Sequence, residues 1–181
     1  MDLLATYPRR LTLFALLVAG LLIGLRTPIA FLNQWRAEQE VMSNNVPWAA
    51  SEYQRAVLLT PDDPELLINV GYAYTRRERH AEAIAAYKQA ATLDKQSTEA
   101  LYLLALELQN AKDLSGAAAA MEEALKRDPG EMRTRMLLAI VETKQGRTGA
   151  AIATWKEVAR RFPTARPAAE GNIRDLEAKG K

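Results

Sequence analysis

Cysteine is absent from this chain of 181 residues, and histidine occurs only once, at His80. The first absence excludes disulfides, thiolate metal sites, cysteine nucleophiles and a lipoprotein anchor, and it leaves the redox compartment undecided. With a single imidazole and no thiol, a transition-metal site has no second soft ligand. His80 falls in a turn among arginines, where it reads as an ordinary exposed residue. No glycine-rich phosphate loop occurs. The carboxylate pairs Asp62–Asp63 and Glu122–Glu123 fall at a turn and on a polar helix face. No catalytic residue, metal ligand or cofactor is therefore expected, and the chain is read as a non-enzyme. An excess of one charge is also lacking: 24 Lys and Arg stand against 22 Asp and Glu, a net charge of +2. Phosphate binding needs a concentrated basic surface, so nucleic acid is not an expected partner.

What the chain does have is a period. Ala49, Ala83, Ala117 and Ala151 recur every 34 residues, and so do Tyr53, Tyr87, Met121 and Trp155. Repetition at this length marks a solenoid of helix hairpins, each burying one face against its neighbour. The clearest copy runs from Pro64 to Ser97. It places Leu67, Val70, Gly71 and Tyr74 on a first helix, a polar break over Arg76–His80, and Ala83, Tyr87 and Ala90 on a second. Asp63 is placed to cap that first helix and Pro64 to open it. Gly146 suits the end of a later first helix. The predicted fold is all-α: about four repeats over 30–63, 64–97, 98–131 and 132–165, the first degenerate, followed by a capping helix and tail over 166–181. In the cap, Ile173 and Leu176 are the apolar anchors among charges. Arg36 and Glu40 interrupt the first repeat where apolar residues recur later.

Ahead of the repeats, Leu11–Leu25 carries no charge. As a helix it covers about 22 Å, short of the roughly 30 Å of a hydrocarbon core. The apolar residues of Thr27–Leu32 can extend it, with Arg26 snorkelling from the edge. On one continuous helix Tyr7 and Trp35 lie about 42 Å apart, near the separation of the aromatic belts. Pro28 allows a kink or a helix restart instead. No small-x-small cleavage site follows the run, so a retained anchor is expected: a tail over 1–8, then one transmembrane helix over 9–30. Arg9, Arg10 and the terminal amine precede the span while Arg26 and Arg36 follow it, a slight bias that favours N-in and puts the repeats on the periplasmic side of an inner membrane; a cytoplasmic-facing domain is the alternative. Ala15, Ala19, Gly20 and Gly24 form a stripe of small residues suited to packing against a partner's transmembrane helix.

The repeat positions resemble the tetratricopeptide repeat family: a large apolar residue, Gly or Ala, then Tyr in the first helix, and Ala, an aromatic and Ala in the second. Repeat 64–97 departs from the pattern with Lys95, where the family has proline. The resemblance covers roughly Phe31 to Lys181 and implies a concave groove lined by the first helices. Carried over to this chain, the groove residues are Ile68, Asn69, Tyr72, Thr75, Tyr102, Leu106, Gln109, Asn110, Met136, Ile140 and Thr143. The middle repeats lack the basic clamp with which chaperone-binding members hold a carboxylate. An apolar, aromatic groove suits a peptide or an amphipathic helix.

Charge is unevenly spread: residues 26–131 carry 11 Lys or Arg against 16 Asp or Glu, and residues 132–181 carry 11 against 5. The expected function is that of a membrane-anchored scaffold for protein–protein interaction, an assembly factor or client-holding adaptor. The alternative is a stoichiometric structural subunit of a large membrane complex, docked through its span and its repeat face.

Overall fold

The computed structural model describes residues 7–42 and 45–179, with side chains described for all of these except residues 7–17, 42 and 46. Among the described residues there are helices and no strands: α1 (Tyr7–Met42), α2 (Val46–Leu59), α3 (Pro64–Thr75), α4 (His80–Leu93), α5 (Glu99–Asn110), α6 (Leu114–Arg127), α7 (Met132–Lys144), α8 (Thr148–Arg161) and α9 (Arg166–Lys179). Each helix packs on the next in chain order, so the hairpins α1–α2, α3–α4, α5–α6 and α7–α8 stack as a solenoid and α9 lies on α8.

The period seen in the sequence is a packing period. Ala37, Gly71, Ala105 and Ala139 are in register on the first helices, and all are buried. Facing them are Tyr53, Tyr87, Met121 and Trp155 on the second helices, each almost wholly buried. Size explains the pairing, because a small residue lets the two helices approach and the large one fills the space beside the next repeat. The second hairpin shows how close the approach is. A Cβ at Gly71 would stand 2.5 Å from the Tyr87 ring, which leaves glycine as the residue that fits.

Turn chemistry repeats as well. Asp63, Asp113 and Glu131 accept hydrogen bonds from the backbone N–H groups of Leu66, Gly116 and Thr134, capping α3, α6 and α7. Each first helix from α3 onward ends in one residue of positive φ: Glu78 (58°), Lys112 (68°) and Gly146 (73°). The following N–H then bonds back into the helix, Arg79 to Tyr74, Asp113 to Leu108 and Arg147 to Glu142, each at 2.8–3.0 Å, closing a Schellman motif.

α1 runs as one helix through Pro28, without the restart that proline allows. Its C-terminal part is the first helix of the first repeat, with Ala30, Asn33 and Ala37 buried. N-terminal to that part, Val18, Leu21, Leu22, Ile23 and Leu25 are exposed. Among the residues described with side chains no helix is long and apolar enough to cross a membrane; the apolar run begins at Leu11, and only its part from Val18 onward falls among them.

Candidate functional site

Two surfaces flank the second hairpin. The first is the face made by α3, α5 and α7 together with the end of α1. Tyr72 (44% exposed) on α3 and Ile140 (38%) on α7 stand out from it. Asn110 and Thr143 are exposed as well, and Asn69 is half-buried. Ile68, Tyr102 and Leu106 are half-buried against the main core, and Met136 lies against the core of the last repeat. Six of the predicted groove residues are thus apolar or aromatic and stand, as a shelf, at equivalent positions of α3, α5 and α7: Ile68, Tyr102 and Met136, and Tyr72, Leu106 and Ile140.

Two of them are held by the fold. The Thr75 hydroxyl lies 2.9 Å from Glu107 Oε1 and 3.1 Å from the Gly71 carbonyl. Thr143 turns its hydroxyl to the Ala139 carbonyl at 2.8 Å. Gln109, at the same position of α5, keeps a buried Oε1 without a hydrogen-bond partner.

Sequence reasoning missed three residues of this face. Phe31 (71% exposed) and Trp35 (50%) lie on α1 and continue the shelf toward the N-terminus. Arg133 places its guanidinium 5.2 Å from the centre of the Tyr102 ring and pairs with Glu131 at 3.2 Å. Phe31 and Arg133 share one position of the period and Trp35 shares that of Asn69, so register was the signal available.

His80 differs from its expectation. It opens α4 half-buried, and its Nδ1 lies 2.8 Å from Oε2 of the buried Glu107. The pair joins the second hairpin to α5, because burial makes the Glu107 carboxylate depend on its partners. Burial also pushes the Tyr87 phenol, 3.3 Å from the Thr75 hydroxyl, up to about 12.

The second surface is a cleft of about 500 Å³ between α2, α3 and α4, lined among others by Val57, Leu58, Leu67, Tyr74 and Ala86. Gln54 donates to the Tyr74 hydroxyl, and Arg79 stacks 4.9 Å from the same ring while pairing with Glu82.

Of the small-residue stripe, Ala15 lies outside the residues with described side chains. Ala19 is exposed, and a Cβ at Gly20 or Gly24 would meet nothing within 4 Å. Among the described residues no group of three or more His, Cys, Asp or Glu is arranged to hold a metal ion.

Known proteins place the chain by its repeats. The family model described as Tetratricopeptide repeat matches residues 42–98 and 102–166. A curated relative, the cytochrome c-type biogenesis protein CycH of Pseudomonas aeruginosa, is 30% identical over 171 residues, covering 87% of this chain. The chain spans 42% of that relative's length. Among solved structures, MamA superposes with a TM-score of 0.70 at 19% identity, covering 83% of this chain and 87% of that one. YrrB, described as having an unusual peptide-binding site, gives 0.68 at 17% identity, covering 82% and 76%. Both share the solenoid with this chain.

Proposed function

The chain belongs to the tetratricopeptide repeat family, and from that premise we propose that it is a membrane-anchored adaptor, holding a client protein at the membrane surface while a c-type cytochrome is assembled. The observation that carries this reading is the shelf of Tyr72, Tyr102 and Ile140 at repeating positions of α3, α5 and α7, with Phe31 and Trp35 exposed on α1. Rigid aromatics on such a surface are where binding energy concentrates. The spacing suits an amphipathic helix or a short apolar segment laid across successive first helices. Arg133 and Asn110 at its edge supply polar contacts that fix register.

The place in cytochrome c biogenesis rests on the resemblance to CycH, and the anchor rests on the uncharged run Leu11–Leu25 feeding directly into α1. The span over 9–30 holds the repeats on the periplasmic side, where Ala15, Ala19, Gly20 and Gly24 offer a face to a partner's transmembrane helix. No chemical step is assigned to the chain.

Deleting the gene and measuring covalently bound haem c tests the assignment, with full-length protein and the double variant Tyr72→Ala/Tyr102→Ala supplied in trans. Loss of haem c on deletion, rescue by the wild type and failure of the variant at equal membrane abundance are the expected results. Truncating two interface aromatics costs about 2–4 kcal/mol of binding. Full rescue by the variant would remove this face from the function, and unchanged haem c on deletion would remove the pathway.

A further inference from the structure

The second helices end on the same edge of the solenoid, and their last two residues change character along the array. They read Leu58–Leu59 in α2, Thr92–Leu93 in α4, Lys126–Arg127 in α6 and Arg160–Arg161 in α8. The helix ends are apolar near α1 and basic away from it, while the turns that follow them carry Asp62, Asp63, Asp94 and Asp128. Leu58 is 81% exposed and Leu93 is 41% exposed.

The position of α1 says what this edge faces. One cleft of about 400 Å³ is lined by Ile23, Arg26 and Thr27 of α1 together with Leu59, Thr60, Pro61, Asp62 and Asp63. The end of α2 therefore stands level with the end of the apolar run. Because α1 is continuous from Tyr7 to Met42, no flexible joint separates that run from the first hairpin. The uncharged run ends at Leu25 and Arg26 follows it beside Asp62 and Asp63, so the end of α2 stands at the charged end of the run, where acyl chains give way to headgroups. Asp62 and Asp63 bound the depth, since charge is expelled from hydrocarbon. Leu58, one turn earlier, supplies exposed apolar surface at the same level.

We propose that this edge is a lipid-binding surface, with Leu58 and Leu59 seated in the membrane interface and Lys126 and Arg160 set over anionic headgroups. Helix dipoles alone favour cations at helix C-termini, but they act equally on all four second helices and do not explain leucines on the first two. Lys126 and Arg160 have largely exposed side chains. Arg127 and Arg161 are partly committed, donating to the carbonyls of Ala91, Asp94 and Ser97 and of Pro129. Glu157 pairs with Arg160 and Arg161, and Glu123 with Lys126 and Arg127, so the basic end attracts without binding on its own. Seating the edge fixes the tilt of the solenoid and thereby the height at which the client-binding shelf stands. The inference rests on the anchored reading above, although it needs no client.

The absence of cysteine makes the test direct. The full chain is reconstituted into vesicles with a lipid-borne quencher, carrying one fluorophore at Leu58→Cys, Thr92→Cys or, on the opposite edge, Ala111→Cys. The vesicles contain either zwitterionic lipid alone or added phosphatidylglycerol. Expected are flotation with the vesicles and several-fold stronger quenching at 58 than at 111 in both compositions. Quenching at 92 should rise with phosphatidylglycerol and fall back in the Lys126→Glu/Arg160→Glu background. Protein that floats with a water-exposed label at 58, or with a label at 92 indifferent to lipid charge, overturns the proposal, leaves the anchor standing and returns Leu58 to a protein partner. Protein that does not float overturns the anchor and the seating together.

Discussion

At the scale of single residues, the small and large positions were legible because close helix packing leaves few choices, and Ala, Gly and bulky residues had to recur every 34 residues. Glu107 was not legible. It is a carboxylate among the leucines and alanines of α5, and the groups that make its burial tolerable, Thr75 and His80, lie 32 and 27 residues away. No local pattern links residues so distant, so from sequence the histidine reads as solvent-facing. The buried phenols carry a consequence for pH. Burial raises Tyr87 to about 12 and, with Glu38 adding to it, Tyr53 to the same value. A phenol whose folded pKa exceeds its unfolded value of about 10 contributes its full stability below that pH and loses it as the pH rises through 12. Denaturation by urea across pH 9–12 should show stability falling in this window. The fall should be shallower in Tyr53→Phe/Tyr87→Phe, measured against each protein's own stability at neutral pH.

At the scale of elements, the turns after α3, α5 and α7 have one geometry and three different residues. Glycine fits a left-handed C′ position without steric cost, yet only the last of these turns has it, at Gly146, while Glu78 and Lys112 adopt φ of 58° and 68°. That made one turn readable from sequence and hid the other two. Lys112 is exposed, so its side chain loses little packing when removed. Lys112→Gly is expected to stabilise the protein by about 0.5–1 kcal/mol, the relief of left-handed strain less the added entropy of the unfolded chain. Chemical denaturation with an unchanged slope reads this as a higher midpoint, and a lower midpoint would show that the lysine is held there by contacts worth more than the strain. Pro28 went the other way, as a break signal inside an unbroken helix. Proline removes the hydrogen bond to the residue four before it and crowds that carbonyl, here that of Gly24.

At the scale of the molecule, the buried apolar residues fall into two clusters. One extends from Ala37 on α1 to Val141 on α7. The other joins Ala139, Ala151, Trp155 and Val158 to Ala165, Ala169 and Leu176, with Ile173 packed against it. The cap was foreseeable, since a last repeat has to hide its open face, but the division of the core was not, because α7 contributes to both clusters and its sequence has no break. Stacked repeats unfold as neighbouring units with their own interface energies, so a weakened cap should open only what it covers. Leu176 is buried in the smaller cluster, and its truncation is worth about 2–4 kcal/mol. Leu176→Ala should therefore raise amide exchange throughout α8 and α9 and leave α3–α6 at wild-type protection. Equal loss of protection along the whole array would instead show that the two clusters fold as one cooperative unit, with α7 transmitting the loss from the cap to the first hairpin.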